Sequence, residues 1–596
     1  MNLNAELGAA YSDIQSGRYD SALSRLSALQ KSQSRAPDVW RLSAMAARKS
    51  GAPDQAELWL KTALKLDPRN PEGWNALGLA QDDQGRSEDA LASFQKALDI
   101  RQDFTPAAIN AGRVLLRLSR VDAALSVLAP FRHDKRARQI QAQVVHKRSG
   151  PGQALEIYNE LLRAAPTDPQ CLYGQSLCLI ELGACEEALP GLMALSQGGF
   201  APAHYALFTA LARLKRFDEA FQAIQLSLRA NPADDKALHG GAQLLYMTGR
   251  EEQIRPFFET LIAASGEAAA VYAVYLDVLV QMEAFVEARH VCSRAIERFG
   301  DAVWLVNRRL AIEIEARDSH AAHEIATALP AALHDAPELR GNLVRSYLMN
   351  GAYASSAPLI EAGVKANPED RFWRALEAVQ FRGVGDEAGY GDLLDLDAFT
   401  RTTQLEPPSH YADLAAFNIE LARVLRDMHD FSAAPLDQSL RSGTQTPTDL
   451  RHSKAPVIRD FFTMVEGAFE AYRQSLSPHE GHPLLGAIPD SFELVGAWSV
   501  RLGPGGRHVN HVHPEGWVSS VYYVDVPPQL ADSPDREGWL KFCEPPFPVP
   551  GQTPQKYVEP KAGELTLFPS YAWHGTVPIR SGERLTIAFD IAPKRG

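Results

Sequence analysis

His511 and His513 flank a single valine near the C-terminal end of a chain of 596 residues. Side chains alternate along an extended strand, so both imidazoles point to one face. A third histidine, His574, follows Gly563-Glu564-Leu565-Thr566-Leu567-Phe568-Pro569, which reads as a strand closed by a turn. Three histidines gathered in this way could hold a metal ion, and packing alone gives no reason for the pattern. Ten residues further on, Arg584 opens Arg584-Leu585-Thr586-Ile587-Ala588-Phe589-Asp590. Alternation puts Arg584, Thr586 and Ala588 on one face and Leu585, Ile587 and Phe589 on the other. An arginine on the inner face of a small barrel needs an anionic partner, because an unpaired buried charge is costly. A ligand carboxylate held by the guanidinium fork meets that need, and Thr586 could add a hydroxyl to the same carboxylate.

Short strands must carry these residues. Strand-like runs are Phe492–Arg501, Val518–Val526, Trp539–Cys543, Glu564–Phe568 and Arg584–Ile591, separated by turns rich in Pro, Gly and Asp. So many strands in so short a stretch predict a sandwich or barrel, and the double-stranded β-helix, or jelly roll, is the natural closed form. Helical spacing of Leu414, Phe417, Leu421, Val424 and Leu425 predicts a helix over Asp413–His429, and a second is expected over Phe461–Tyr472. The polar, glycine-containing stretch from Asp437 to Thr446 between them reads as a loop, to which no role is assigned.

Ahead of residue 380 the chain repeats itself. Trp40 and Trp74 are 34 residues apart, and Ala56, Ala90 and Ala124 keep that interval, as do Leu60, Phe94 and Leu128. The register slips after Ala124 and resumes with Ala154 and Ala188. Looser copies follow at Phe217-Asp218-Glu219-Ala220, Phe285-Val286-Glu287-Ala288 and Tyr353-Ala354. This resembles the tetratricopeptide repeat, in which small residues let two helices approach closely. About ten repeats of about 34 residues are expected, forming an all-α right-handed solenoid with a concave face. Such a face commonly docks an extended peptide or a partner helix; the alternative is that the array self-associates or packs on the C-terminal domain. The expected organisation is a solenoid over 1–380, a linker with helical support over 381–450 and a jelly roll over 451–596.

The C-terminal motifs carry a resemblance of their own. His511-x-His513-Pro514, Ser519 to Val524, Phe542-Cys543-Glu544-Pro545, Gly563-x4-Phe568-Pro569-x4-His574 and Arg584-x-Thr586 occur in one order. Together they resemble the 2-oxoglutarate/Fe(II)-dependent oxygenases that carry N-terminal tetratricopeptide repeats. The likeness covers about residues 390 to 596 and includes the segment Gln438–Thr446. It implies a dioxygenase that uses Fe(II), 2-oxoglutarate and O2 and releases succinate and CO2; a hydroxylase is expected, with halogenation, desaturation and demethylation left open. His511 and His574 match the family's two histidine ligands. His513 stands where many relatives have Asp, which leaves the third ligand as His513 or water, with Glu515 a weaker carboxylate candidate. Arg584, helped by Thr586, matches the residue that grips the distal carboxylate of 2-oxoglutarate. No catalytic group beyond these ligands is implied.

Trp517, Tyr522, Tyr523 and Trp573 lie near these residues and could line a substrate pocket or fill the sheet core. His508, out of phase with the face of His511, reads as a surface or core residue. Two other functional readings stand beside the oxygenase. A three-histidine cupin-type dioxygenase would need no 2-oxoglutarate, but Trp517 and Val518 occupy the place of the expected cupin glutamate, and Arg584 would lack a role. A non-catalytic binding or scaffold protein would put the function in the repeats alone.

Composition bounds the partners. A net charge of −13 gives no overall electrostatic footprint for nucleic acid or an anionic membrane. Five cysteines without a C-x-x-C pair argue against a disulfide framework and a Cys-based zinc site. No run of 18 apolar residues occurs, and the N-terminus lacks the basic start and apolar stretch of a signal peptide. A cytoplasmic protein with a docked protein or peptide substrate is expected; substrate identity and homo-oligomerisation are left open.

Overall fold

The computed structural model describes residues 3–594 apart from Glu267, Asp430, Ser432, Asp437, Ala487 and Asp532. Asp437, the first residue of the expected loop, thus lies outside the described residues. Two compact units are distinguished, Met1–Arg216 and Phe217–Gly596.

The repeat reading holds at the level of each helix pair. First helices begin at Leu3, Pro37, Pro71, Thr105, Lys135, Pro169, Pro202, Asp235, Ala269, Val303, Pro337 and Arg371. Eleven full pairs result among the described residues, against the ten or so expected, and the twelfth ends in the short helix Glu387–Leu393. The slip after Ala124 has a local cause. The second helix of that pair, Val121–Leu128, is cut to 8 residues and followed by a 3-10 turn at Ala129–Phe131. Small residues permit the close approach the period implied. A methyl group on Gly78 would meet the Phe94 ring at 2.5 Å, and one on Gly174 would meet Tyr158 at 2.3 Å. The turn inside most pairs passes through the left-handed region. Gly17, Gly51, Gly85, Gly249 and Gly351 take it freely, whereas Glu283 adopts φ 58° with a side chain attached. That conformation costs Glu283 about 1–2 kcal/mol.

Within the second unit the C-terminal domain is built from antiparallel strands. They are β1 (Arg401–Gln404), β2 (Leu440–Gln445), β3 (Phe492–His508), β4 (Val518–Asp525), β5 (Leu540–Phe542), β6 (Lys556–Val558), β7 (Glu564–Pro569), β8 (His574–Thr576) and β9 (Arg584–Pro593). One sheet runs β1-β7-β4-β9-β3-β2 and the other β6-β5-β8. This is the jelly roll expected from the strand pattern. Helices Leu414–Arg426 and Pro456–Ser475 pack their apolar faces on the larger sheet. Asp413 caps the first of them by accepting the Ala416 N–H at 2.8 Å.

The stretch read as a loop is the edge strand β2. Its alternation is broken by a bulge between Arg441 and Gly443, with Ser442 at φ 52°. Gly443 lies so close to β3 that a methyl group there would sit 2.7 Å from the Arg501 carbonyl oxygen. Only Leu440 and Thr444 of β2 are buried, so no hydrophobic period marks it.

Packing does not break at residue 380 or 450. A single apolar core takes in Leu343 and Trp373 of the repeats, Phe417 and Phe461 of the flanking helices, and Tyr522 and Phe589 of the sheet. Backbone contacts reinforce it: Gln552 donates to the Val379 carbonyl at 2.7 Å, and Arg371 N–H to Pro514 at 3.2 Å. The last repeats therefore serve as one wall of the jelly roll's core. A fragment of residues 451–596 lacks Phe417, Leu421 and Leu425, all fully buried in the whole chain. Burying three such side chains contributes about 5–9 kcal/mol, comparable with the entire stability of a domain. That fragment is expected to show no near-ultraviolet circular dichroism and to bind hydrophobic dyes, whereas residues 217–596 fold. A cooperative melt of the short fragment would contradict the shared core.

All five cysteines are buried and unpaired. No described helix is long and apolar enough to cross a membrane.

Candidate metal and anion site

The functional side chains converge on a cavity of about 540 Å³ between the two sheets. Strand β9 supplies one wall by strict alternation. Arg584, Thr586, Ala588 and Asp590 face the cavity, while Leu585, Ile587, Phe589 and Ile591 enter the core. Strand β4 adds Val521 and Tyr523, and the bridge between His511 and His574 ties the segment after β3 to β8.

His511, His513 and His574 each present a ring nitrogen within 4.8 Å of the others. Their outward nitrogens are all occupied. His511 Nδ1 lies 2.8 Å from the Val509 carbonyl, His574 Nδ1 2.9 Å from the Ala572 carbonyl, and His513 Nδ1 2.5 Å from Asp590 Oδ2. Backbone carbonyls can only accept, so His511 and His574 each donate through Nδ1 and keep Nε2 as a lone pair, and the carboxylate behind His513 Nδ1 favours the same tautomer. Three imidazoles held in one tautomer with their lone pairs converging form a ready-made set for a divalent transition metal. The cluster holds no carboxylate; Glu515 sits at the exposed rim of the cavity.

Burial keeps the rings of His511 and His574 neutral. Loss of solvent, with His513 close by, lowers His511 to about 3, and burial together with His511 lowers His574 well below the ordinary histidine value. Unfolded histidine titrates near 6.5, so below that pH the unfolded chain binds protons that the folded chain refuses. The stabilisation is full above about pH 6.5 and falls as the pH drops toward the folded values. Denaturant melts of the metal-free protein should lose about 1.4 kcal/mol per pH unit for each such histidine between about pH 6 and 4. A flat stability profile over that range would show that the rings are hydrated.

Arg584 and Tyr523 make up the second half of the site. The guanidinium is 3% exposed, and one of its N–H groups donates to the Gly538 carbonyl. Among the described residues its Nε has no partner, nor does the buried hydroxyl of Tyr523, whose ring lies 5.7 Å from the guanidinium carbon. Burial pushes the phenol up to about 12, so it remains a donor, and burial lowers the arginine's pKa. Two orphaned donors beside a buried cation call for an anion with acceptor oxygens. Thr586 shares the wall, but its hydroxyl lies 3.5 Å from the Val500 carbonyl and is a weaker contributor.

Of the four aromatics considered for the pocket, only Tyr523 lines the cavity. The other three are tied into the core. Trp517 Nε1 donates to Leu484 at 2.9 Å, Tyr522 to Asn418 at 2.7 Å, and Trp573 Nε1 to Ala375 at 3.1 Å. Alternation on β4 turns Tyr522 away from Tyr523, and the two tryptophans lie in turns that pack against helices. His508, in contrast, does line the cavity. The strand ends at His508, so the alternation that placed it out of phase does not continue to His511. Ser439, just before β2, lies 3.0 Å from His508 Nδ1 and 3.3 Å from His511 Nε2. The sequence carried one sign of this link, the family-like segment Gln438–Thr446. Glu283 of the repeats pairs with Arg441 of β2 at 3.1 Å. Asp590 was legible only as the next residue on the Arg584 face.

Known proteins divide along the same line. Residues 496–590 match the family described as "Putative 2OG-Fe(II) oxygenase". Tetratricopeptide-repeat models match residues 7–71, 60–103 and 75–129. The chain is thus a tetratricopeptide-repeat protein with a C-terminal domain of this oxygenase family. No curated protein matches it. Among solved structures it resembles a tetratricopeptide repeat protein from Parabacteroides merdae at 15% identity, over 41% of this chain and 98% of that one, with a TM-score of 0.35. A thermophilic repeat protein of Thermus thermophilus gives 22% identity over 30% of this chain and 98% of its own, with a TM-score of 0.26. The pilF protein of Pseudomonas aeruginosa gives 16% identity over 39% and 94%, with a TM-score of 0.27.

Proposed function

We propose that the chain is an Fe(II)- and 2-oxoglutarate-dependent oxygenase that hydroxylates a protein or peptide docked by its repeats, with the repeats as docking solenoid and the domain of strands β1 to β9 as catalytic jelly roll. The observation that carries the reading is the pairing, within one cavity, of three converging imidazole lone pairs with an unsatisfied arginine and phenol. His511, His513 and His574 would hold the iron; Arg584 and Tyr523 would hold the distal carboxylate of 2-oxoglutarate. Iron, when bound, couples oxidative decarboxylation of 2-oxoglutarate by O2 to oxidation of a substrate C–H bond.

The chain's own groups prepare that chemistry. The Val509 and Ala572 carbonyls and Asp590 fix the ring orientations before any ligand arrives. The guanidinium, already desolvated, gains rather than loses on meeting a carboxylate. Tyr523 would donate its O–H to the same carboxylate, and Phe568 and Leu540 add apolar surface to the cavity lining. The need for an anion separates this reading from a three-histidine dioxygenase without a cosubstrate. The protein or peptide substrate follows from the length of the repeat array, whose faces commonly dock extended chains.

The test is anaerobic loading of the full chain with Fe(II) and 2-oxoglutarate, then admission of O2 without added substrate. Slow formation of succinate is expected. A preparation that retains iron yet never yields succinate, alone or with peptide libraries, would overturn the reading.

A further inference from the structure

His513 differs from its two neighbours in what it leans on. His511 and His574 rest on backbone carbonyls, which are neutral, whereas His513 rests on the carboxylate of Asp590. Both oxygens of that carboxylate are engaged: Oδ2 by His513 and Oδ1 by Ser519 Oγ at 2.7 Å. Ser519 faces Asp590 directly across the β4–β9 ladder, so the brace is built into the strand register. Asp590 is 9% exposed and lines the cavity wall. A carboxylate behind a metal-bound imidazole makes the ring a stronger donor and passes negative charge toward the ion. The cluster needs that charge, because three neutral imidazoles leave a divalent cation uncompensated in a buried site.

We infer that Asp590 is a positioning residue of the metal centre: through His513 it supplies the negative charge that a directly bound carboxylate would bring. Ser519 holds it in place. The ligand set has in effect moved its acid one residue outward, from the metal to the far side of an imidazole. This inference rests on the metal-site reading above.

Co(II) is the probe, titrated into the full-length metal-free chain and read by its visible ligand-field bands. Asp590→Asn keeps an oxygen for His513 Nδ1 and an amide for Ser519, and removes only the charge. The expected result is a weakening of Co(II) binding by about 10- to 100-fold, with displaced bands and a metal-free melting temperature close to wild type. Ser519→Ala frees one oxygen but keeps the charge, and should weaken binding only a few-fold. Unchanged affinity and bands in Asp590→Asn would overturn the inference, as would a loss confined to metal-free stability. If Asp590→Asn does not fold, Ser519→Ala decides: wild-type Co(II) affinity there would overturn the inference. A wild-type chain that binds no Co(II) would overturn the metal-site reading itself, and this inference with it.

Discussion

Replacing His574 with alanine is expected to abolish O2-dependent succinate formation while leaving the fold intact. The ring is 6% exposed and its Nδ1 is fixed by the Ala572 carbonyl. Its Nε2 would be one of only three protein donors to the ion. Loss of a supporting partner alone costs about 10- to 100-fold in metal affinity, so loss of a ligand must exceed that range. The alanine leaves a small void beside Phe568, whose ring centre lies 4.7 Å from that of His574. A buried truncation of this kind costs about 2–4 kcal/mol, which a domain of normal stability survives. Iron content and succinate should fall together, and circular dichroism should not change. Wild-type turnover in His574→Ala would remove the histidine cluster from the mechanism.

Arg584→Ala is expected to raise the dissociation constant for 2-oxoglutarate by about 100- to 20,000-fold, with little effect on metal binding. A hydrogen bond to a charged group contributes about 1.5–3 kcal/mol, and each 1.4 kcal/mol is a factor of ten. Two such bonds lie within reach of one guanidinium whose Nε has no partner. Tyr523→Phe should cost about tenfold, since it deletes a single neutral donor. Calorimetry on Mn(II)-loaded protein without O2 measures binding apart from turnover. Equal losses of Mn(II) and 2-oxoglutarate in Arg584→Ala would argue for a structural arginine. The gap between Arg584 and Tyr523 is itself diagnostic, because an uncharged ligand would narrow it.

Much of this site was legible because β9 alternates without interruption. One arginine and one period were enough to place Thr586 and Ala588 on the same wall as Arg584 and to send Leu585, Ile587 and Phe589 inward. The same logic failed where the chain leaves the strand. Alternation carried across a strand end puts His508 out of phase, and the bulge and polar edge of β2 erase any hydrophobic period that would mark it as a strand. The aromatics failed for another reason. Trp517 and Trp573 sit in turns, and what they touch, Leu484 and Ala375, is far away in sequence. The repeats show the converse. Their period is local, so it survives in the sequence, whereas the merging of the last repeats with the jelly-roll core is a tertiary fact that no periodicity records.

Strand β9 has a consequence for how such a protein can change over time. Arg584 at one end grips an anion and Asp590 at the other braces a ligand ring, and both depend on sharing a face. The strand is therefore a ruler whose unit is the two-residue step. A substitution at any intervening position alters one contact. An inserted or deleted residue between them turns one end over, sending either the arginine or the aspartate into the apolar core and an isoleucine or leucine into the cavity. Lineages of this domain should accordingly drift by replacement along β9 and never by changes in its length.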